Sequence, residues 1–293
     1  MTRAGFVALA GRPNVGKSTF VNAALGEKVA IVSDRPQTTR RAIRGVYSHG
    51  ESQIVLVDLP GVQRPRDALT ARMARRVQHE LEGADAALLM LSGAEGVGPG
   101  DRFIAGTLAA TGAPVTIAVN KIDRPSRAAL MATLAQAAEL AARAEVFPIC
   151  ARTGAGVAAL LEHLATLMPA GPFLFAADAG SDQPQEQLLA ELIREAVIRR
   201  TFQELPHAVE VVVEELEHVR PGLVRVRALI WTESDSQKGI LIGARGQMIK
   251  AIGTAARREL QRVLGSQVHL ELSVRVRRDW RGDEAMLDRL GIT

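Results

Sequence analysis

Cysteine is nearly absent from these 293 residues; Cys150 is the only one. A lone thiol excludes an internal disulfide framework and fits a reducing cytoplasm. Long apolar runs are missing too. None approaches the ~18 residues that a helix needs to span a bilayer, which excludes a membrane-spanning chain. The N-terminal stretch MTRAGFVALAGRP is not expected to be a signal peptide, because its apolar run is short and ends in a glycine-rich loop. There is no internal repeat and no low-complexity tract. Lysine is scarce as well: 31 arginines stand against Lys17, Lys28, Lys121, Lys238 and Lys250. An ammonium is a compact point charge that a planar guanidinium does not copy, so each lysine invites inspection.

What is present suffices for two domains with sizeable cores: 47% of the residues are apolar and 23% charged. The charge is uneven. Residues 1–170 carry 19 Lys+Arg and 14 Asp+Glu, residues 171–219 carry 3 and 10, and residues 220–293 carry 14 and 8. A basic tail after an acidic stretch suggests a local polyanion site; a solvated mixed-charge surface is the plainer alternative.

Short apolar strands are predicted at 5–10, 53–58, 86–91, 114–119 and 145–149. Helical patterns lie between them, at 19–25, 67–82, 100–111, 126–143 and 156–167. That alternation predicts an α/β domain over 1–168 with a mostly parallel sheet covered on both faces. Residues 169–184, PAGPFLFAADAGSDQP, have three prolines and no periodicity and read as a linker. Residues 185–293 then read as helix 185–205, strands 207–217 and 223–232, a short helix 238–242, a glycine loop, helix 247–264 and strand 267–277. The order is that of a smaller α+β domain, α-β-β-α-α-β.

Gly11-Arg12-Pro13-Asn14-Val15-Gly16-Lys17-Ser18 fits G-x-x-x-x-G-K-[ST], after a predicted strand and before a helix that Thr19 opens. Glycines let backbone N–H groups wrap phosphates, and the helix N-terminus adds positive partial charge. Lys17 would reach the β- and γ-phosphates, and Ser18 would hold Mg²⁺. Asp58-Leu59-Pro60-Gly61, with Val62 after it, follows the next motif-bearing strand. Asp58 suits a grip on Mg²⁺, and the Gly61 N–H can approach a γ-phosphate. Asn120-Lys121-Ile122-Asp123 selects the base, because a carboxylate at Asp123 accepts two hydrogen bonds from guanine and would meet an acceptor on adenine. The Lys121 stem can lie over the ring, and Asn120 can tie this loop to the first. Read alone, each motif has a bland counterpart: a glycine turn, an ordinary turn, a helix cap.

In this order and spacing the three motifs resemble a small GTPase of the translation-factor class. GRPNVGKS with Gln37-Thr38-Thr39-Arg40 resembles the Era-like branch in particular. The resemblance implies GTP/GDP and Mg²⁺ as ligands, with a threonine of the second box closing on the metal; Thr39 is the first choice and Thr38 the second. Cys150-Ala151 stands where the family has Ser-Ala, and the Ala151 N–H is expected to meet the guanine carbonyl. Many GTPases place a glutamine directly after D-x-x-G to orient water; here Val62 stands there, with Gln63 one residue late. Some Era-like relatives hold a potassium ion with the P-loop asparagine, which matches Asn14, opposing charge on the transferring phosphoryl. The alternative for Asn14 is a turn-bracing residue. The catalytic candidates are thus Lys17, Asn14, Thr39 and Gly61, and slow unaided hydrolysis is expected.

Ile242-Gly243-Ala244-Arg245-Gly246 supplies a G-x-x-G loop between helices. Alone such a loop is usually a turn. In this element order, with a basic residue, Arg245, inside the loop, it resembles a type II KH domain, whose loop clamps about four nucleotides of single-stranded RNA, with Lys238 and Lys250 as further RNA-binding candidates. Gly243 and Gly246 would let the RNA backbone approach, and Arg245 and Ala244 would face it. The stretches Ser234–Gly239 and Arg277–Arg281 resemble the Era tail, so the resemblance covers essentially the whole chain. It implies a cytoplasmic, monomeric GTPase that binds small-subunit ribosomal RNA near its 3′ end and assists 30S subunit assembly, with no DNA partner. Peripheral contact with the inner face of the cell membrane belongs to the family as a class, and no residue here demands it. The alternative is an RNA-binding assembly scaffold with a vestigial GTPase.

Overall fold

The computed structural model describes residues 1–33, 35, 38–61, 67–141, 143–202, 205–290 and 292, without the side chain of Arg289. The chain forms two compact units. The first comprises Met1–Ala30, Thr39–Arg66 and Thr70–Asp182, and the second Ile31–Thr38, Asp67–Leu69 and Gln183–Thr293.

The first run of elements is β1 (Arg3–Ala10), α1 (Lys17–Leu25), β2 (Ile43–His49), β3 (Ser52–Asp58), α2 (Ala68–Glu82), β4 (Ala86–Ser92), α3 (Pro99–Thr111), β5 (Val115–Asn120), α4 (Arg127–Leu140), β6 (Val146–Pro148) and α5 (Val157–Leu167). Their sheet has the order β2-β3-β1-β4-β5-β6 and is parallel except for β2, which runs antiparallel to β3. Strand side chains alternate between faces. Val7 and Leu9 of β1 therefore join one buried cluster with Phe20 and Val21 of α1 and Leu160 and Leu164 of α5. Ala8 and Ala10 join the opposite one with Val77 of α2, Ile104 and Leu108 of α3 and Ala137 of α4. Both faces are covered, which is why the strands read as near-continuous apolar runs.

β2 has no counterpart among the predicted strands. Its alternation is broken by Gly45, where a Cβ would lie 2.7 Å from Leu25 and 2.9 Å from Val21 of α1. Residues 169–182, read from sequence as linker, are held along this unit. The Gln53 Oε1 accepts the N–H groups of Leu174 and Phe175 at 2.7 and 2.9 Å, and its Nε2 donates to the Phe175 carbonyl at 3.0 Å. Ser181 bridges to Gly45 on the open edge of β2, and Arg44 pairs with Asp182 at 3.3 Å.

The second unit contains α6 (Gln185–Ile198), α7 (Leu205–Ala208), β7 (Glu210–Arg220), β8 (Leu223–Thr232), α8 (Asp235–Ile242), α9 (Gln247–Leu264), β9 (Gln267–Val276) and α10 (Glu284–Arg289). β8 is central, antiparallel to β7 and parallel to β9. Leu189, Leu192 and Ile193 of α6 and Ile252, Ala256 and Leu260 of α9 pack on Val224, Val226 and Ala228 of β8. The helix expected over 185–205 ends at Ile198, and a separate turn begins at Leu205. Pro206 lies in the first turn of that second element, where its missing N–H is tolerated. α10, too short to show periodicity, is started by Asp283, whose carboxylate accepts the Met286 N–H at 3.1 Å.

Trp280 closes this unit. It is fully buried, and its Nε1–H donates to the Ala208 carbonyl at 3.0 Å. Trp280→Ala is expected to destabilise the unit by roughly 3–5 kcal/mol. The other tryptophan, Trp231, lies on β8 of the same unit, so urea unfolding followed by its fluorescence measures that loss directly.

Candidate functional site

Strand register assembles the first site. Leu9 of β1 stands opposite Asp58 of β3, and Ser92 of β4 opposite Asn120 of β5. The loops after β1, β3 and β5 therefore leave the sheet at one edge, its carboxyl end.

Residues 11–16 wrap tightly there. A Cβ at Gly11 would lie 2.6 Å from the Met90 carbonyl, and one at Gly16 would lie 2.2 Å from the Asn120 amide. Gly16 also has φ +105° as the residue before α1, a backbone that side chains resist. Lys17 is buried, and its ammonium donates to the carbonyls of Gly11 and Arg12 at 3.3 and 3.4 Å. The side chain of Arg12 turns away from the loop, and its Nε donates to Asp101 of α3 at 2.9 Å. The second oxygen of Asp101, itself fully buried, accepts the Gly98 N–H at 2.8 Å. Only the backbone of Arg12 therefore faces the loop interior. Pro13 packs on Gly61, where a Cβ would be 3.0 Å from its ring. Asn14 adopts φ +64°, and its carbonyl accepts the Lys121 ammonium at 2.5 Å. Val15 is buried, and Thr19 is half-buried on α1.

Behind the loop, the Ser18 hydroxyl donates to Asp58 Oδ2 at 2.5 Å and stands 3.2 Å from the Thr39 hydroxyl, which is itself 3.4 Å from the same oxygen. Thr38 does not join them; its hydroxyl donates to the Arg35 carbonyl at 2.6 Å. Asp58 is fully buried, and its Oδ1 has no hydrogen-bond partner among the described residues. Burial pushes its carboxyl above the usual range, against the pull of Lys17, Ser18 and Thr39. Burial lowers Lys17 in turn, against the attraction of Asp58. An orphaned carboxylate oxygen beside two hydroxyls is a donor set of hard oxygens and fits a small divalent cation such as Mg²⁺. Leu59 and Pro60 are buried behind this cluster. Val62, Gln63 and Gln37 lie outside the described residues.

The third corner is braced by Asn120. Its amide donates to the Val15 carbonyl at 2.8 Å, and its oxygen accepts the Ala151 N–H at 2.9 Å. The Ala151 N–H, expected to meet a guanine carbonyl, thus has Asn120 as its partner, because Val15 fixes the Asn120 amide with its oxygen toward residue 151. Lys121 takes φ +63°, and the Ile122 N–H donates to the Ile149 carbonyl at 3.4 Å. Asp123 receives the Cys150 thiol at 3.2 Å and the Arg152 guanidinium at 2.6 Å. The thiol, which stands where the family has a serine hydroxyl, thus braces Asp123. Arg152 has no equivalent in the sequence reading; the signal for it was a basic residue directly after the Cys-Ala pair.

The second unit carries the other candidate. Ala244–Gly246 form one turn of 3₁₀-helix between α8 and α9, with Ala244 and Arg245 exposed. Arg245 is left-handed at φ +51°, and a Cβ at Gly243, φ +70°, would lie 2.7 Å from Met248. Lys250 is exposed on α9 and Lys238 half-buried on α8; Ile240 and Ile242 are exposed beside the loop.

A sheet of this order with a glycine-wrapped lysine at its edge, followed by an α-β-β-α-α-β unit with a G-x-x-G turn, defines a P-loop GTPase joined to a KH domain. Residues 6–121 match the family described as a 50S ribosome-binding GTPase, and residues 204–281 match the KH domain. The chain is 44% identical to GTPase Era of Mycobacterium tuberculosis over 98% of both chains, and 43% identical to that of Mycobacterium avium over 99% of this chain and 98% of the other. Among solved structures it is similar to an Aquifex aeolicus Era variant bound to GDP and AlF₄⁻, with 34% identity and TM-score 0.95 over all of both chains. The same figures hold for Era in complex with MgGDPNP and nucleotides 1506–1542 of 16S ribosomal RNA. The chain belongs to the Era family of GTPases.

The environment of Asp123 gives a measurable consequence. The Cys150 thiol, foremost, and Arg152 hold its carboxyl below the usual range, against a smaller opposing effect of desolvation. A depressed carboxyl stays ionised as pH falls, so its hydrogen-bond acceptors persist into acid. Cys150→Ala removes the thiol donor, and protonation should then begin at higher pH. The ratio of wild-type to variant GDP affinity should be flat near neutrality and rise below about pH 5. Titration of the nucleotide phosphate is common to both proteins and cancels in that ratio.

Proposed function

We propose that this GTPase is a cytoplasmic switch that binds small-subunit ribosomal RNA near its 3′ end through the loop 243–246 and assists 30S subunit assembly. The observation that carries this reading is similarity over the full chain to an Era captured with both MgGDPNP and nucleotides 1506–1542 of 16S ribosomal RNA. The exposed, glycine-flanked turn at Arg245 supports it, since a nucleic-acid backbone needs close approach and positive charge.

In the nucleotide site, Lys17 carries its charge to the β- and γ-phosphates, and the N–H groups of residues 14–18 line the polyphosphate. Ser18, Thr39 and Asp58 hold Mg²⁺, which when bound neutralises charge on the β- and γ-phosphates. Asp123 accepts the guanine N–H donors, and the Lys121 stem covers the ring. The Gly61 N–H faces the γ-phosphate. Asn14 holds potassium beside the phosphates. Replacing K⁺ by Na⁺ at equal ionic strength should therefore slow single-turnover hydrolysis in the wild type and not in Asn14→Ala; equal wild-type rates in both salts reduce Asn14 to a turn residue.

The RNA reading is tested by Ala244→Asp combined with Arg245→Asp. Two carboxylates then stand where phosphates must approach, so affinity for a single-stranded oligonucleotide from the 3′ end of small-subunit ribosomal RNA should fall. Its salt dependence should become shallower by about one counterion per lost phosphate contact. GTP affinity should stay near normal. Wild-type binding that the double substitution leaves untouched rules out the loop as the RNA clamp.

A further inference from the structure

Asp123, proposed above as the acceptor for the base, already has donors from its own chain. The Cys150 thiol lies 3.2 Å from Oδ1, and a terminal nitrogen of Arg152 lies 2.6 Å from Oδ2. The backbone N–H of Asp123 itself is a third donor. All of these groups belong to the first unit. A carboxylate offers about four lone-pair sites. Guanine brings two N–H donors to it, N1–H and one N–H of its 2-amino group. Three donors from the chain and two from the base exceed the roughly four sites, so one donor must give way.

Burial identifies the donor that can leave. Cys150 is buried, and its backbone is pinned as well. Its N–H donates to the Ala155 carbonyl at 2.9 Å, and its carbonyl accepts the N–H groups of Thr153 and Gly154 at 3.1 and 2.9 Å. The thiol therefore reaches Asp123 from the interior and stays there. The Asp123 N–H is fixed by the chain itself. Arg152 differs. Its side chain is 72% exposed, against 26% for that of Asp123, so the guanidinium covers the carboxylate from the solvent side, by which a base arrives. An exposed ion pair is weak, because both charges are well solvated when apart. Hypoxanthine is the informative comparison. It keeps N1–H and lacks the 2-amino group, so it brings a single donor. Three donors and one fit the roughly four sites, and Arg152 can remain in place.

We infer that Arg152 competes with the 2-amino group of guanine for the carboxylate of Asp123, and so is a specificity-determining residue that narrows the preference for guanine over hypoxanthine. This rests on the proposed role of Asp123 in reading the base. The plainer role for Arg152 is to brace Asp123 for guanine, and it predicts the opposite sign.

Full-length wild type, Arg152→Ala and Asp123→Asn are titrated with GDP, inosine diphosphate and xanthosine diphosphate in Mg²⁺, at low and at raised salt. GDP and inosine diphosphate share ribose and phosphates, so the charge lost at position 152 acts alike on both and cancels in their affinity ratio. Arg152→Ala should raise the ratio of GDP to inosine diphosphate affinity roughly two- to fivefold at low salt, the range for an exposed ion pair. Raised salt screens that pair in the wild type, so the gap between the two proteins should narrow. A ratio that Arg152→Ala leaves unchanged shows that Arg152 stays beside the bound base, and a lowered ratio shows that it braces Asp123; either overturns the competition. Asp123→Asn tests the role of Asp123 separately. It should prefer xanthosine diphosphate over GDP, because an amide N–H then meets the 2-carbonyl of the base. If it does and the Arg152→Ala ratio is unmoved, the competition alone is rejected. If Asp123→Asn still prefers GDP, Asp123 does not read the base, and the competition falls with that role.

Discussion

A buried ammonium and a buried carboxylate, Lys17 and Asp58, sit at the same sheet edge, and the geometry of the first unit follows from keeping them there. Burial drives both toward their neutral forms, and their mutual attraction only partly opposes it. An arrangement of this kind costs several kcal/mol per ion in desolvation and is held by the surrounding fold. β1, β3 and β4 are buried on both faces, and their parallel register brings the loop from β1 to Lys17, at the start of α1, out beside Asp58 at the end of β3. On the proposed function, a polyphosphate with a divalent cation would supply the complementary charges: anionic oxygens for Lys17 and a cation for Asp58 with its two neighbouring hydroxyls. Stability is thus spent to preorganise donors and acceptors where charge develops, where they need no rearrangement.

Rigid bracing around that pair is done by side chains that need not touch a ligand. Asn120 links the loops after β1, β5 and β6 through two hydrogen bonds of one amide group. Asp101 uses one oxygen at the start of α3 and the other on Arg12, tying the loop after β1 to a helix three strands away in sequence. Buried polar groups of this kind are costly if one partner is lost, so they fix a single arrangement of the loops.

Much of this was legible in the chain because its signals are local. The glycine spacing around Lys17, the position of Asp58 after an apolar strand, and the Asn120–Asp123 box each occupy a few consecutive residues. The sheet strands buried on both faces read as apolar runs for the same reason. What escaped depends on distant partners. β2 hides because Gly45 must admit Leu25 and Val21 of α1. The partners of Asp123 include Arg152, 29 residues on. The hold of Arg194 on Thr38 spans 156 residues, and no periodicity in α6 announces it, since buried charges there simply look like a polar face. Arg281 likewise pairs with Asp67, and its carbonyl accepts the Leu69 N–H at 3.1 Å. Sequence order places residues 31–38 and 67–69 within the GTPase stretch, whereas packing assigns them to the unit that follows it.

The two candidate loops share one device although they lie in different folds. α1 and α9 each begin after a left-handed glycine, Gly16 at φ +105° and Gly246 at φ +76°, and neither glycine offers a side-chain cap. Most helices satisfy a first-turn N–H with a serine, threonine or aspartate, as Ser126 does for α4, Ser234 for α8 and Asp283 for α10. At α1 and α9 no side chain supplies that acceptor, although at α9 the first N–H, that of Gln247, donates to the Ala244 carbonyl. A side chain at either glycine would add a Cβ to a left-handed backbone, and at Gly16 that atom would also collide with Asn120. Phosphate is the group proposed above for both, on a nucleotide in one unit and along a polynucleotide in the other. On the function proposed above, specificity is left to neighbours: Asp123 for the base in the first unit, and the exposed Ile240, Ile242 and Arg245 around the turn in the second.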